Sequence, residues 1–204
     1  MAKNLDLSIR RGETFKLSVR WETEPWLYAA ITSISQAAPV RITSATQAIP
    51  DGWGVAVVDA KGMTVINAQN NPPKSKDMRR ATVISTTEIE FNDFSTASFG
   101  AHKANTGYLA WLTPHALAGY TARMQIKDRV GGLVLFSLTD DVSGGIEIDD
   151  ANKVIEVTLT AAQAEMAAAA SGVYDLELVS PGGVVTALLA GAVAFGDEVT
   201  TTTT

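Results

Sequence analysis

Thr121-Ala122-Arg123-Met124-Gln125-Ile126-Lys127 decides the fold class, because Ala122, Met124 and Ile126 alternate strictly with Arg123, Gln125 and Lys127. Successive side chains of an extended strand point to opposite faces, so a period of two puts one face in a core and the other in water. The same period recurs on both sides of this stretch. Leu5, Leu7 and Ile9 alternate with Asp6, Ser8 and Arg10, and Phe15, Leu17, Val19 and Trp21 with Lys16, Ser18 and Arg20. Further on, Ile155, Val157 and Leu159 alternate with Glu156 and Thr158, and Tyr174, Leu176 and Leu178 with Asp175 and Glu177. Turn chemistry separates the late runs: Gly131-Gly132, Gly144-Gly145, Asp149-Asp150-Ala151-Asn152-Lys153 and Ser180-Pro181-Gly182-Gly183. Short strands at this spacing read as an antiparallel sandwich or barrel rather than βαβ units. Arg11-Gly12-Glu13, between the first two runs, predicts a hairpin turn.

One helix interrupts the pattern. Thr160-Ala161-Ala162-Gln163 has the form of a capping box, and the alanine run after Glu165-Met166 ends at Ser171-Gly172, which predicts a peripheral helix of about three turns held by propensity and Met166. Residues 25–112 change character. They open and close on Pro-flanked aromatic residues, Pro25-Trp26 and Trp111-Leu112-Thr113-Pro114, and carry short strands over 40–43, 53–58, 81–85 and 88–91. They read as an inserted module, with an exposed loop over 67–80 and a helical turn over 94–99 before a strand at Gly107-Tyr108-Leu109. The two-part organisation is therefore 1–24 plus 113–204 around 25–112, with residues 200–204 as a flexible threonine tail or a strand completed by a neighbour.

Composition bounds the function. The chain has 204 residues, 46% hydrophobic and 19% charged, with 22 acids against 16 bases, a net charge of −6 and no cysteine. Disulfides, thiolate nucleophiles and zinc-thiolate sites are excluded together. The acidic balance offers no global reason to bind nucleic acid. The longest apolar stretch, residues 187–195, is about half of the roughly 18 residues a helical span needs, so no membrane partner is expected. Asp6, where a signal peptide needs an apolar core, predicts no secretory processing.

Candidate chemistry is thin. His102 and His115 lack metal-ligand spacing, no Gly-x-Ser-x-Gly elbow occurs, and Gly52-Trp53-Gly54 lacks the third glycine of a dinucleotide loop. Asp140, Asp141, Asp149 and Asp150 miss the calcium-loop register and read as turn acids. No catalytic residue, cofactor or metal is expected. Trp21 continues a core alternation. Trp26, Trp53 and Trp111, near module edges, and the basic cluster Lys74, Lys76, Arg79 and Arg80 are the candidate interaction surface.

Two stretches resemble known families. Ala118-Gly119-Tyr120-Thr121-Ala122-Arg123-Met124-Gln125-Ile126-Lys127-Asp128 and residues 172–191, with Arg10-Arg11-Gly12-Glu13-Thr14-Phe15 in the first run, resemble the amino-terminal β-sandwich domain of tailed-phage baseplate upper proteins. In the insert, Ile49-Pro50-Asp51-Gly52-Trp53, Lys61-Gly62-Met63-Thr64-Val65-Ile66-Asn67, Ala81-Thr82-Val83-Ile84, Thr87-Glu88-Ile89-Glu90-Phe91-Asn92 and Gly107-Tyr108-Leu109 are similar to a small β-barrel module. That module is the first-catalytic-cysteine half-domain of ubiquitin-activating enzymes, which phage tail proteins reuse. Here Gln47-Ala48-Ile49 replaces the usual His-Gly-Ile-like turn, and the loop at 70–77 is longer.

The expectation is an all-β chain: an immunoglobulin-like antiparallel sandwich, an inserted small β-barrel and one short helix. The resemblance implies a non-enzymatic structural protein of the virion, made in the bacterial cytoplasm and built into the tail or baseplate. Its implied partners are other phage virion proteins in a symmetric multi-copy assembly. A capsid decoration or head-to-tail joining protein, and a carbohydrate-binding module that meets a host surface glycan through Trp26, Trp53 or Trp111, are the alternatives.

Overall fold

In the computed structural model, which describes residues 2–167 and 169–197, the first two alternating runs form strands that belong to different sheets. The amino-terminal segment supplies β1 (Lys3–Asn4), β2 (Leu7–Arg10) and β3 (Phe15–Val19). Seven strands follow: β4 (Glu22–Ile34), β5 (Val40–Ser44), β6 (Gly54–Val58), β7 (Arg79–Arg80), β8 (Thr82–Ser85), β9 (Glu88–Phe91) and β10 (Tyr108–Pro114). The remainder forms β11 (Thr121–Lys127), β12 (Val134–Thr139), β13 (Ile146–Asp149), β14 (Val154–Leu159), α1 (Ala161–Glu165), β15 (Ser171–Val179) and β16 (Val185–Gly196).

Met1–Trp21 and Ala116–Thr204 make one unit, an immunoglobulin-like sandwich. One sheet has the order β1-β16-β15-β11-β12, with β2 also on β16; the other is β13-β14-β3. Ile9, Met124, Ile126, Leu176, Leu178 and Val193 from the first sheet pack on Ile155, Val157 and Leu159 from the second. The pairing of β1 with Leu189 and Ala190, and of β2 with residues from Val193 to Gly196, keeps one register and is parallel. β1 and β2 are thus one edge strand, interrupted where Asp6 Oδ1 accepts Ala192 N–H at 3.0 Å.

The predicted hairpin between the first two runs is overturned. Gly12, at φ 73°, lets the chain leave β2 in one sheet and enter β3 in the other. Arg11 holds this crossing by donating to Ala167 O at 3.2 Å and Ala169 O at 3.1 Å and by pairing with Asp197. Those same bonds shorten the predicted three-turn helix to five residues. Its capping box is present, Thr160 with Gln163. Beyond Met166, however, backbone carbonyls go to Arg11, and Phe195 N–H takes Ala170 O at 2.9 Å. Met166, expected to anchor the helix, is exposed; Ala164 is its buried residue.

Glu22–His115 is the second unit, a seven-stranded sheet of order β7-β6-β10-β4-β5-β9-β8. Its two edges, β7 and β8, are consecutive in the chain, separated by Ala81, so the sheet curls into a barrel with this stretch as its seam. Ala81 bonds Trp53 O and Gly52 N–H across that seam, at 3.0 and 2.8 Å. Ile31, Ile42, Val57, Ile89, Phe91 and Leu109 fill the interior. The insert extends beyond residues 25–112 because β4 starts at Glu22 and stays paired with β10 to Pro114. Residues 94–99 form turns rather than a helix, closed by Phe99 N–H to Thr96 O at 3.0 Å. The loop expected over 67–80 contains a 3-10 turn at Ser75–Asp77 and ends in β7. The threonine tail lies outside the described residues.

Trp21 and Tyr120 flank the insertion and meet edge to face at 6.0 Å between ring centroids. Replacing residues 22–115 by a short Gly/Ser linker is therefore expected to leave a folded sandwich with a β-type circular dichroism spectrum and dispersed amide resonances; an aggregated product would contradict two self-sufficient cores. A Cβ on Gly191 would collide with the Leu5 carbonyl. Gly191→Ala is expected to cost about 1–3 kcal/mol in urea unfolding.

Candidate interaction surfaces

The outer face of the six-stranded sheet carries an open cavity of about 910 Å³. Strand alternation builds it. With Met124, Ile126, Leu176 and Leu178 in the core, Arg123, Gln125, Lys127, Asp175 and Glu177 stand outward. On β16 their neighbours are small: Ala190 opposite Asp175, and Ala192 opposite Val173. Long polar side chains beside small ones leave a trough, walled on its far side by Asn4 and Asp6. Arg123 and Glu177 are cross-strand partners and form an ion pair at 2.7 Å. Below the trough, the buried Tyr174 donates its hydroxyl to Leu5 O at 2.7 Å. Burial, reinforced by the Asp6 charge, pushes that phenol up to about 12.

The four turn acids serve as hydrogen-bond acceptors within the sandwich, Asp141 and Asp149 inside their own turns and Asp140 and Asp150 also across to other segments. Asp149 accepts Asn152 N–H at 3.0 Å and Asn152 Nδ2 at 2.7 Å, and these bonds hold its carboxyl below the usual range. Asp150 is lowered by Lys153 Nζ at 2.6 Å and then by Leu117 N–H at 2.6 Å. Asp140 accepts Ala122 N–H at 3.0 Å, and Asp141 takes the Thr139 hydroxyl at 3.1 Å. Among the described residues no group of three or more His, Asp or Glu is placed to hold a metal ion.

Two of the seven residues expected to form an interaction surface are placed in the core. Trp53 and Trp111 are buried in the barrel core, so neither presents a ring to a partner or a sugar. Trp53 precedes β6 on its inward row and donates its indole N–H to Leu112 O at 3.0 Å; Trp111 follows Leu109 on the inward row of β10. Trp26, opposite Leu112, is half-buried. The basic cluster is also divided. Arg79 lies over the Phe94 ring at 3.9 Å and pairs with Asp93 at 3.1 Å, whereas Arg80 donates to Gly52 O at 2.9 Å. Lys74 and Lys76 are exposed on the turn, and Arg80 is exposed at the end of β7. Asp77 organises that turn by accepting Lys74 N–H at 2.9 Å, Asn70 Nδ2 at 2.7 Å and Gln69 N–H at 3.1 Å, bonds that lower its carboxyl.

Two features were missed in the sequence. One is β4, the longest strand, with Leu27, Ala29 and Ile31 inward and Tyr28 and Ala30 outward. The alternation was there to find, diluted by alanine and by Pro25. The other is the pair of exposed tyrosines, Tyr28 and Tyr108, on the outer barrel face. No protein-family model and no curated protein matches the chain.

Tyr174 sets a pH dependence. A phenol raised by folding stabilises the fold fully below its unfolded value near 10 and loses that contribution as pH rises through about 12. Urea midpoints are expected to fall between pH 10 and 12 in the native chain, and to fall less in Tyr174→Phe.

Proposed function

We propose that the chain is a non-enzymatic structural component of a tailed-phage virion, a tail or baseplate protein that docks on the tail and contacts neighbouring tail or receptor-binding proteins. The resemblance stretches contain β11, nearly all of β15 and the first half of β16 in the sandwich and most of β8, all of β9 and the start of β10 in the barrel, with residues 49–53 leading into β6. One observation carries the reading. The β11–β12 hairpin exposes Val130 (87%) and Leu133 (77%) beside an edge strand, Val134-Leu135-Phe136-Ser137-Leu138-Thr139, that has neither charge nor proline.

Edge strands of free-standing proteins are normally guarded by lysine, proline or a covering element. β12 has none of the first two, and on its outer side the described residues contribute a single bridge, Thr139 to Gly145. Asp140 N–H goes inward to Ala122 O while Thr139 N–H goes outward to Gly144 O, so by alternation Ser137 also faces away from β11. A bulge at the hairpin end of β12, between Ile126 and Lys127 opposite Phe136 and Val134, limits how far pairing can propagate. Apolar hairpin tips and short open edges suit docking in a repeated assembly, where symmetry multiplies weak contacts.

A tagged copy in assembled particles is expected to label the tail by immunogold microscopy. Val130→Glu with Leu133→Glu is expected to reduce incorporation about tenfold with an unchanged circular dichroism spectrum. Label over the head would replace this reading by capsid decoration, and native incorporation of the double variant would remove the hairpin from it.

A further inference from the structure

The outer face of the barrel carries a cleft of about 350 Å³ beside Tyr28, at the small end of the range of ligand sites. We propose that this cleft binds a neutral carbohydrate, with Tyr28 as the stacking platform and Asp59, Gln69 and Asn71 as the hydroxyl-binding groups. This site is independent of the virion reading, since it needs only the barrel.

The platform follows from strand register. Across β6, β10 and β4 the outward rows read Ala56, Ala110, Tyr28 and Val58, Tyr108, Ala30. Each tyrosine is therefore flanked on its own row by small side chains, which leave ring surface uncovered: Tyr28 is 53% exposed and Tyr108 46%. The two are diagonal neighbours, a spacing within reach of aromatic side chains. Neither ring belongs to the barrel core. A tyrosine face is electron-rich and attracts the polarised C–H bonds on one side of a sugar ring, while its body is apolar and its hydroxyl wet.

The walls carry the complementary polar groups. The loop from Asn67 lies beside β6, bridging Val57, with Ala68 N–H to Val57 O at 2.7 Å. It is held rigidly. Asn67 closes on Ala60 in both directions, Oδ1 from the N–H and Nδ2 to the carbonyl, each at 2.9 Å. Asn70 donates to Asp77, and Pro73 is buried. Those residues are consumed by the loop. The side chains of Asp59, Gln69 and Asn71 make no hydrogen bond among the described residues, although all three line the cleft. One carboxylate and two amides supply acceptors and donors together, which suits hydroxyl groups that both give and take.

The lining also selects the ligand class. It contains one carboxylate and neither lysine nor arginine, so a phosphate or a sialic-acid carboxylate would be repelled. Val58, Ala68 and Pro73 are too few for an apolar ligand to bury the unpaired amides without cost. A neutral sugar satisfies both halves of the site.

The full chain is to be applied to an array of neutral hexose and N-acetylhexosamine oligosaccharides with sialylated and phosphorylated controls, and the strongest neutral probe titrated by NMR. Binding of a neutral probe is expected, weakened about tenfold by Tyr28→Ala and by Asn71→Ala, which remove exposed side chains outside the core, and less by Tyr108→Ala. A flat array, preference for the anionic controls, or a neutral affinity unchanged in both Tyr28→Ala and Asn71→Ala would each overturn the proposal.

Discussion

The parallel pairing of the amino-terminal edge strand with β16 is the constraint on which the sandwich depends. It joins residues separated by nearly the whole chain, Lys3 with Leu189 and Arg10 with Gly196, in a single register. Three side-chain devices secure it: Asp6 on Ala192 N–H, the Tyr174 hydroxyl on Leu5 O, and Arg11 reaching Asp197 and the carbonyls before β15. Closing a loop of this length costs conformational entropy that rises only slowly with the number of residues enclosed. A whole barrel can therefore be accommodated between β3 and β11, because that barrel has its own core and recovers its own ordering cost.

The same constraint shapes the outer face. The terminal strand adds a wall of Asn4 and Asp6 beside the small residues of β16, and the trough exists because β11 and β15 carry long charged side chains while β16 carries alanine and glycine. Its charges are compensated within the sheet, Arg123 by Glu177. The barrel follows different logic. Its seam at residues 79–85 removes the free edges, so its outward features are side chains and loops, above all the tyrosines of β4 and β10 and the amide-rich loop along β6. The sandwich presents a strand edge and an apolar hairpin; the barrel presents a polar cleft with an aromatic wall.

Legibility differed element by element for identifiable reasons. Met124 and Ile126, or Leu176 and Leu178, could be read as core because alternation with charged residues reports burial directly. Partner choice is not encoded that way. Ile9 and Leu17 share the same period, yet they enter opposite sheets, and nothing local distinguishes a hairpin at Arg11-Gly12 from a crossing. The start of α1 was readable from Thr160 and Gln163, a local exchange of hydrogen bonds, whereas its end was set by Arg11 and Phe195 from the far ends of the chain. Trp53 and Trp111 illustrate the same limit: their place near the module edges suggested contact surfaces, and barrel register turned them inward.

By itself the sequence determined that the chain is all-β, that it is divided by an inserted module, where most strands run, and which faces are apolar. These are consequences of period-two patterning and turn chemistry, which act over a few residues. Tertiary structure alone decided which strands pair, how the barrel closes on residues 79–85, and which aromatic rings face water. Those outcomes depend on register between segments far apart in the chain, and one step of register moves every side chain of a strand to the other face.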